Sequence, residues 1–138
     1  MKKIVTAVIG VGYLGRFHAQ KYAAAEHCEL LAVCDERAQT RKAVATELRT
    51  HGCADYHELL GKVDAVSIVT PTIAHFEIAR DFLQAGAHVL VEKPITETVA
   101  QAQQLVAAAR RAGRVLQVGH LERFNPAIAG RPDILGGR

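Results

Sequence analysis

Gly10, Gly12 and Gly15 stand at the spacing G-x-G-x-x-G directly after the apolar run Ile4–Ile9, and an acid, Asp35, follows twenty residues past Gly15. Each residue has its own task in holding a dinucleotide. Gly10 permits a tight turn off a strand, Gly12 lets the backbone approach a pyrophosphate, and Gly15 lets a helix pack close to the strand. The helix that opens at Tyr13 and Leu14 offers N–H groups and a partial positive charge to phosphate oxygens. Asp35, at the end of the run Leu30–Cys34, suits the hydroxyls of an adenosine ribose. Arg37, two residues on, has the chemistry to pack on adenine or to meet a 2′-phosphate; an acid at 35 repels that phosphate, so NAD is expected over NADP. Glycines at a strand-helix turn also have a purely structural use. The second strand and its terminal acid, both in register with them, carry the dinucleotide reading.

A second polar group recurs after apolar runs: Thr70-Pro71 with His75 after Val69, Glu92-Lys93-Pro94 after Val91, and Gly119-His120 after Val118. In a doubly wound sheet the carboxyl ends of the strands face one crevice, so these residues converge with the glycine loop. Thr70 and Pro71 are expected to shape its wall. Glu92 either orients Lys93, touches the cofactor or forms a plain ion pair. His75 is either a helix N-terminal residue near a ribose or a surface histidine, and His120 is a turn histidine rather than a base.

The elements that must position these residues follow from periodicity. Strands are predicted at Ile4–Ile9, Leu30–Cys34, Ala65–Val69, Val89–Val91 and Val115–Val118, with a weak one at Ala54–Tyr56. Their near-continuous aliphatic content marks strands buried on both faces. Phe76, Ala79 and Leu83 predict the buried stripe of one helix; Val99, Ala102, Val106 and Ala109 predict that of another, with Thr96 as its N-cap and Gly113 as its stop. Gly86 ends the preceding helix. Right-handed crossovers then give a Rossmann doubly wound parallel sheet of about six strands in the order 3-2-1-4-5-6, with helices on both faces. Residues 1–126 are expected to form this domain and 127–138 a loose tail.

Composition narrows the function classes. The 138 residues suit one domain, 49% of them are hydrophobic, and the 17 basic residues give a net charge of only +3 without massing. The densest basic cluster, Arg110, Arg111 and Arg114, reads as a solvated helix end, so no nucleic-acid binding is expected. No apolar run approaches the ~20 residues of a membrane span, and no signal peptide is expected. Cys28, Cys34 and Cys53 form no C-x-x-C and the seven histidines no H-x-x-x-H, which points to reduced thiols in a cytoplasmic protein and to no metal site.

The combination of Gly10, Gly12, Gly15, Asp35, Thr70-Pro71, His75, Glu92-Lys93-Pro94 and Gly119-His120 resembles the N-terminal domain of the glucose-fructose oxidoreductase, inositol dehydrogenase and rhizopine catabolism protein family, over residues 2–126. The run from Gly119 to Pro126 is similar to members acting on nucleotide sugars. The resemblance implies NAD(P)-linked oxidation of a sugar, nucleotide-sugar or cyclitol secondary alcohol, or the reverse reduction, with Lys93 catalytic beside the nicotinamide. Arg123 and Asn125 are further candidates for the site. By itself Lys93 before Pro94 reads as a solvated strand-end lysine; the resemblance is what assigns it chemistry. Members carry a second domain that forms the substrate wall, commonly with a D-x-x-x-H element, and no Asp-x-x-x-His occurs here. The chain by itself is therefore expected to be inactive or weak, needing a substrate domain to take a sugar-type substrate, and to be capable of forming a homo-oligomer. Two alternatives stay open: a non-catalytic dinucleotide-binding or partner-docking module, and a truncated imine or amino-acid dehydrogenase.

Overall fold

The computed structural model describes residues 2–119. In chain order they form β1 (Ile4–Ile9), α1 (Tyr13–Ala24), β2 (Cys28–Cys34), α2 (Ala38–Leu48), β3 (His51–Cys53), β4 (Ala65–Ile68), α3 (His75–Gln84), β5 (His88–Glu92), α4 (Val99–Ala112) and β6 (Leu116–Gly119). Short 3-10 turns at Tyr56–Leu59 and Thr72–Ala74 complete the path. The strands make one sheet in the order β3-β2-β1-β4-β5-β6, and each adjacent pair is parallel, as the crossover pattern predicts.

Side chains alternate across a strand, so β1 sends Ala7 and Ile9 to one face and Val8 to the other. Ala7 and Ile9 join the larger core, where Phe82 and Leu83 of α3 and Leu105 of α4 are fully buried. Val8 joins a smaller core with Ala19 of α1, Val33 of β2 and Val44 of α2. Tyr22 of α1 adds a polar strut, its hydroxyl 2.6 Å from the Ser67 hydroxyl on β4. The sheet is therefore covered on both faces, and its carboxyl-end edge is what remains to bind a ligand.

Three local expectations need correction. The third strand is His51–Cys53 rather than Ala54–Tyr56, because Asp55 turns the chain: its carboxylate accepts from the His57 N–H at 2.9 Å and caps the 3-10 turn. The N-cap of α4 is Thr98, not Thr96. The Thr98 hydroxyl accepts from the Gln101 N–H at 3.1 Å, while the Thr96 hydroxyl donates to the Thr98 carbonyl at 2.7 Å and braces the turn before it. The buried stripe of α4 is Leu105, Ala108 and Ala109, whereas Val99 is 75% and Val106 41% exposed. Val99 is the first residue of α4, and Ala109 is the member of the predicted stripe that the core does bury. On α3 the predicted stripe holds for Ala79 and Leu83, and Phe76 is half-buried with the Arg80 guanidinium 5.4 Å above its ring. Gly113 and Gly86 end their helices with φ of +65° and +91°.

Loss of a threonine cap costs ~1 kcal/mol. Thr98→Ala is therefore expected to lower the melting temperature by about 3–5 °C, and Thr96→Ser, which keeps the bracing hydroxyl, by far less. Thermal melts followed by circular dichroism check the difference.

Candidate functional site

Strand order reverses between β1 and β4: from β1 the chain crosses to β2 on one side, and from β4 to β5 on the other. The loops leaving β1 and β4 therefore part, and a cleft opens between them. It holds about 910 Å³ and is lined among others by Gly10, Cys34, Asp35, Arg37, Thr70 and Pro71. That volume lies in the range of cofactor sites.

The glycine loop is built by backbone contact. Gly10 has φ +89°, and a Cβ there would lie 2.6 Å from the Val69 carbonyl oxygen. A Cβ on Gly15 would lie 1.7 Å from the Gly10 carbonyl oxygen, so α1 sits directly against the turn. Gly12 is the N-cap of α1 and supplies no side-chain hydrogen bond, which leaves the first-turn amides of Tyr13 and Leu14 without a side-chain cap. A Cβ on Gly12 would meet only the Arg37 Nη2, at 3.2 Å. Tyr13 is 77% exposed, with its ring edge-on to Phe17 at 5.1 Å.

Asp35 is buried and tied to that loop. Its Oδ2 accepts from the Val11 N–H at 3.0 Å, and its Oδ1 accepts from the Arg37 N–H at 2.9 Å. Arg37 adds Nε to Oδ1 at 3.1 Å and Nη2 to Oδ2 at 3.3 Å. Burial pushes the carboxyl up, but the Arg37 guanidinium and the two backbone N–H groups outweigh it, and Asp35 is held below the usual carboxylate range. It is ionised at neutral pH. Arg41 anchors the same segment by donating Nη1 to the Asp35 carbonyl at 2.9 Å.

The second polar group occupies the same carboxyl-end edge, further along the sheet. Glu92 ends β5 and is buried, its Oε2 3.2 Å from Nε2 of His18 on α1. Burial pushes the His18 imidazole down to about 4. Lys93, exposed, follows at once, and its backbone N–H donates to the Gly119 carbonyl at 3.1 Å. His75 is not a surface residue: it is 1% exposed and lies between the two loops that carry the site. Its Nε2 is 2.9 Å from the Thr70 carbonyl, and its Nδ1 is 3.0 Å from that of Pro94 and 3.2 Å from that of Ile95. Backbone carbonyls thus face both ring nitrogens, and His75 packs between the Thr70 and Pro94 segments.

Of the residues expected from sequence, Gly10, Asp35, Arg37, Thr70 and Pro71 line the cleft. Gly12, Tyr13, Leu14 and Gly15 form its loop and helix start, while Glu92 and Lys93 stand at the end of β5. His120, Arg123, Asn125 and the tail from 127 lie outside the described residues. Sequence reasoning missed His18, although Gly15, His18 and Ala19 share one helical face and all three are buried. It also missed Tyr56, His57, Ile73 and Glu77, which line the same cleft; the first three come from 3-10 turns with no regular period, and Glu77 from the first turn of α3, off its buried stripe. Among the described residues no group of His, Cys, Asp and Glu is arranged to hold a metal ion, and no helix is long and apolar enough to cross a membrane.

The model of the oxidoreductase family with an NAD-binding Rossmann fold matches residues 4–120. UDP-N-acetylglucosamine 3-dehydrogenase of Acidithiobacillus ferrooxidans is 50% identical over 123 residues, which span 89% of this chain and 39% of that enzyme. Its solved structure superposes with a TM-score of 0.84 at 47% identity, covering 96% of this chain and 42% of the other. D-glucoside 3-dehydrogenase of Escherichia coli is 35% identical over 122 residues, 86% of this chain and 35% of that enzyme. Biliverdin reductase from Synechocystis, solved with biliverdin and NADP+, superposes with a TM-score of 0.82 at 25% identity, covering 96% of this chain and 43% of the other. The chain thus spans well under half the length of these relatives.

Proposed function

We propose, for a chain that belongs to the oxidoreductase family with an NAD-binding Rossmann fold, that it is the cofactor-holding domain of a dehydrogenase acting on a secondary alcohol of a sugar, nucleotide sugar or cyclitol. The observation that carries the cofactor half is the Asp35 carboxylate fixed to the glycine loop through the Val11 N–H at 3.0 Å. One contact puts the ribose acceptor and the pyrophosphate loop in a single rigid frame. The residues fit the dinucleotide: Gly12 leaves room that only the tip of Arg37 approaches, and the α1 N-terminus presents amides to an anion. Because Asp35 is ionised at neutral pH, NAD is the preferred cofactor over NADP.

The substrate class rests on the sugar-type substrates in the names of relatives and on the Glu92-Lys93-Pro94 segment. A dinucleotide held by the glycine loop and Asp35 would supply the hydride-accepting chemistry for oxidation of the carbinol carbon. The task left to the protein is the hydroxyl proton and the charge that develops on oxygen as it leaves. An exposed ammonium at Lys93 suits that charge. Glu92, buried beside His18, and His75, whose ring lies between the Thr70 and Pro94 carbonyls, flank the lysine's backbone on either side of the segment. The substrate wall and any homo-oligomer contact belong to the same proposal, as does a cytoplasmic setting, which suits the free thiols of Cys28, Cys34 and Cys53.

Calorimetric titration of the chain with NAD, NADH and NADPH tests the reading. Micromolar binding of NADH, tighter than that of NADPH, is expected. A folded chain that takes up none of them would remove the cofactor proposal and, with it, the dehydrogenase assignment.

A further inference from the structure

The last residues of β2 and β3 are both cysteines, and the parallel register sets them side by side, Cys34 against Cys53. Neighbouring strands run about 4.8 Å apart, inside the range of roughly 4.4–6.8 Å between α-carbons that a disulfide spans. Both residues belong to the same core and both are free thiols. After burial, the strongest influence on the ionisation of each thiol is the other. Cys28, the remaining thiol, stands at the opposite end of β2, about 20 Å along the strand, too far from either for a bond. The backbone of the pair carries the cofactor frame. The Cys34 carbonyl accepts from the Gly10 N–H at 2.7 Å, and the Cys53 carbonyl accepts from the Asp35 N–H at 3.1 Å. Cys34 also lines the cleft itself, beside Asp35.

Resting on the dinucleotide reading above, we infer that Cys34 and Cys53 are a redox-sensitive pair, and that a disulfide between them, formed by reduction of a hydroperoxide, weakens the hold of the cleft on its dinucleotide. Cys34, which borders the cleft, meets the peroxide first. Its sulfur takes the terminal oxygen as the O–O bond breaks, which leaves a sulfenic acid and releases the alcohol or water of the peroxide. The Cys53 sulfur then displaces that oxygen, which departs as water with the Cys53 proton. Two thiols are oxidised, one peroxide is reduced, and one S–S bond replaces two S–H bonds. Burial pushes both thiols up, so thiolate is scarce at neutral pH and the reaction is slow. The pair therefore answers a sustained oxidant and not a brief pulse. Bonded sulfurs lie about 2.05 Å apart, far inside van der Waals contact, so the ends of β2 and β3 must shift to close the bond. Gly10 and Asp35 move with the carbonyls that hold them.

The test is to incubate the full chain for hours with hydrogen peroxide or tert-butyl hydroperoxide. Disulfides are then mapped by mass spectrometry of non-reduced digests, and NADH is titrated by calorimetry. The Cys34–Cys53 link is expected as the main product, with NADH binding about tenfold weaker, a common size for the coupling of two sites, and restored by dithiothreitol. Cys53→Ala is expected to lose the reversible response, and Cys28→Ser to keep it. Because replacing a buried cysteine can disturb folding, the wild-type chain decides. A wild type that stays folded by circular dichroism but forms no Cys34–Cys53 link, or links through Cys28 instead, would overturn the inference. A Cys34–Cys53 link that leaves NADH affinity unchanged would overturn it equally. Failure of the dinucleotide reading shows separately, as a reduced wild type that takes up no NADH whether or not the link forms.

Discussion

Gly15→Ala is expected to lower the melting temperature by about 5–10 °C, from an overpacking cost of roughly 2–3 kcal/mol, and to bring NADH binding below detection. The added methyl would lie 1.7 Å from the carbonyl oxygen and 2.7 Å from the carbonyl carbon of Gly10, both backbone atoms. Nothing there can rotate aside. Either α1 slides away from β1 or the turn at Gly10 opens, and each movement displaces the amides of the α1 N-terminus. Gly12→Ala is the informative partner. Its Cβ would touch only the tip of Arg37, at 3.2 Å, and that side chain can swing away. The Gly12 variant is therefore expected to melt close to wild type while binding NADH poorly, because the methyl enters the space of the pyrophosphate. Melts and titrations of the two variants side by side check the separation. A Gly15 variant that melted at the wild-type temperature would show that the helix and turn are not in the contact described.

Asp35→Ala is expected to weaken NADH binding on the order of 100-fold, since two hydrogen bonds to a charged acceptor are lost, and to leave NADPH binding much less affected. Titration with both dinucleotides reads the ratio directly. The same carboxyl carries a pH signature. It is held below the usual carboxylate range in the folded chain, so as acid is added the unfolded chain takes up a proton first. The stability that Asp35 contributes is then complete above roughly pH 5 and is lost as the pH falls below about 4. Urea unfolding of wild type and Asp35→Asn across this range is expected to show the gap between them closing toward low pH. A gap that widened in acid would mean that the carboxyl is raised rather than lowered in the folded chain.

What the sequence determined here is what local chemistry determines. The parallel sheet and its order followed from aliphatic runs at crossover spacing, because a strand buried on both faces must be apolar along its length. The glycine loop and Asp35 were legible because their spacing is set by one strand-helix-strand unit. Gly113 and Gly86 were legible as helix ends because a positive φ selects glycine.

Tertiary structure decided whatever depends on a neighbour remote in sequence. The buried face of α4 is chosen by contact with α3 and the sheet, which turned Leu105 inward and left Val99 and Val106 outside. His75 changes from an ambiguous histidine into a buried one only when the Thr70 and Pro94 carbonyls arrive on either side of its ring. His18 and Glu92 lie 74 positions apart, and only the packing of α1 over the sheet brings them to 3.2 Å. Asp35 and Val11 lie 24 positions apart, and only the packing of β2 beside β1 brings the carboxylate to 3.0 Å from the Val11 N–H. Periodicity records which residues must be buried. It does not record which backbone carbonyl or carboxylate will be waiting for them.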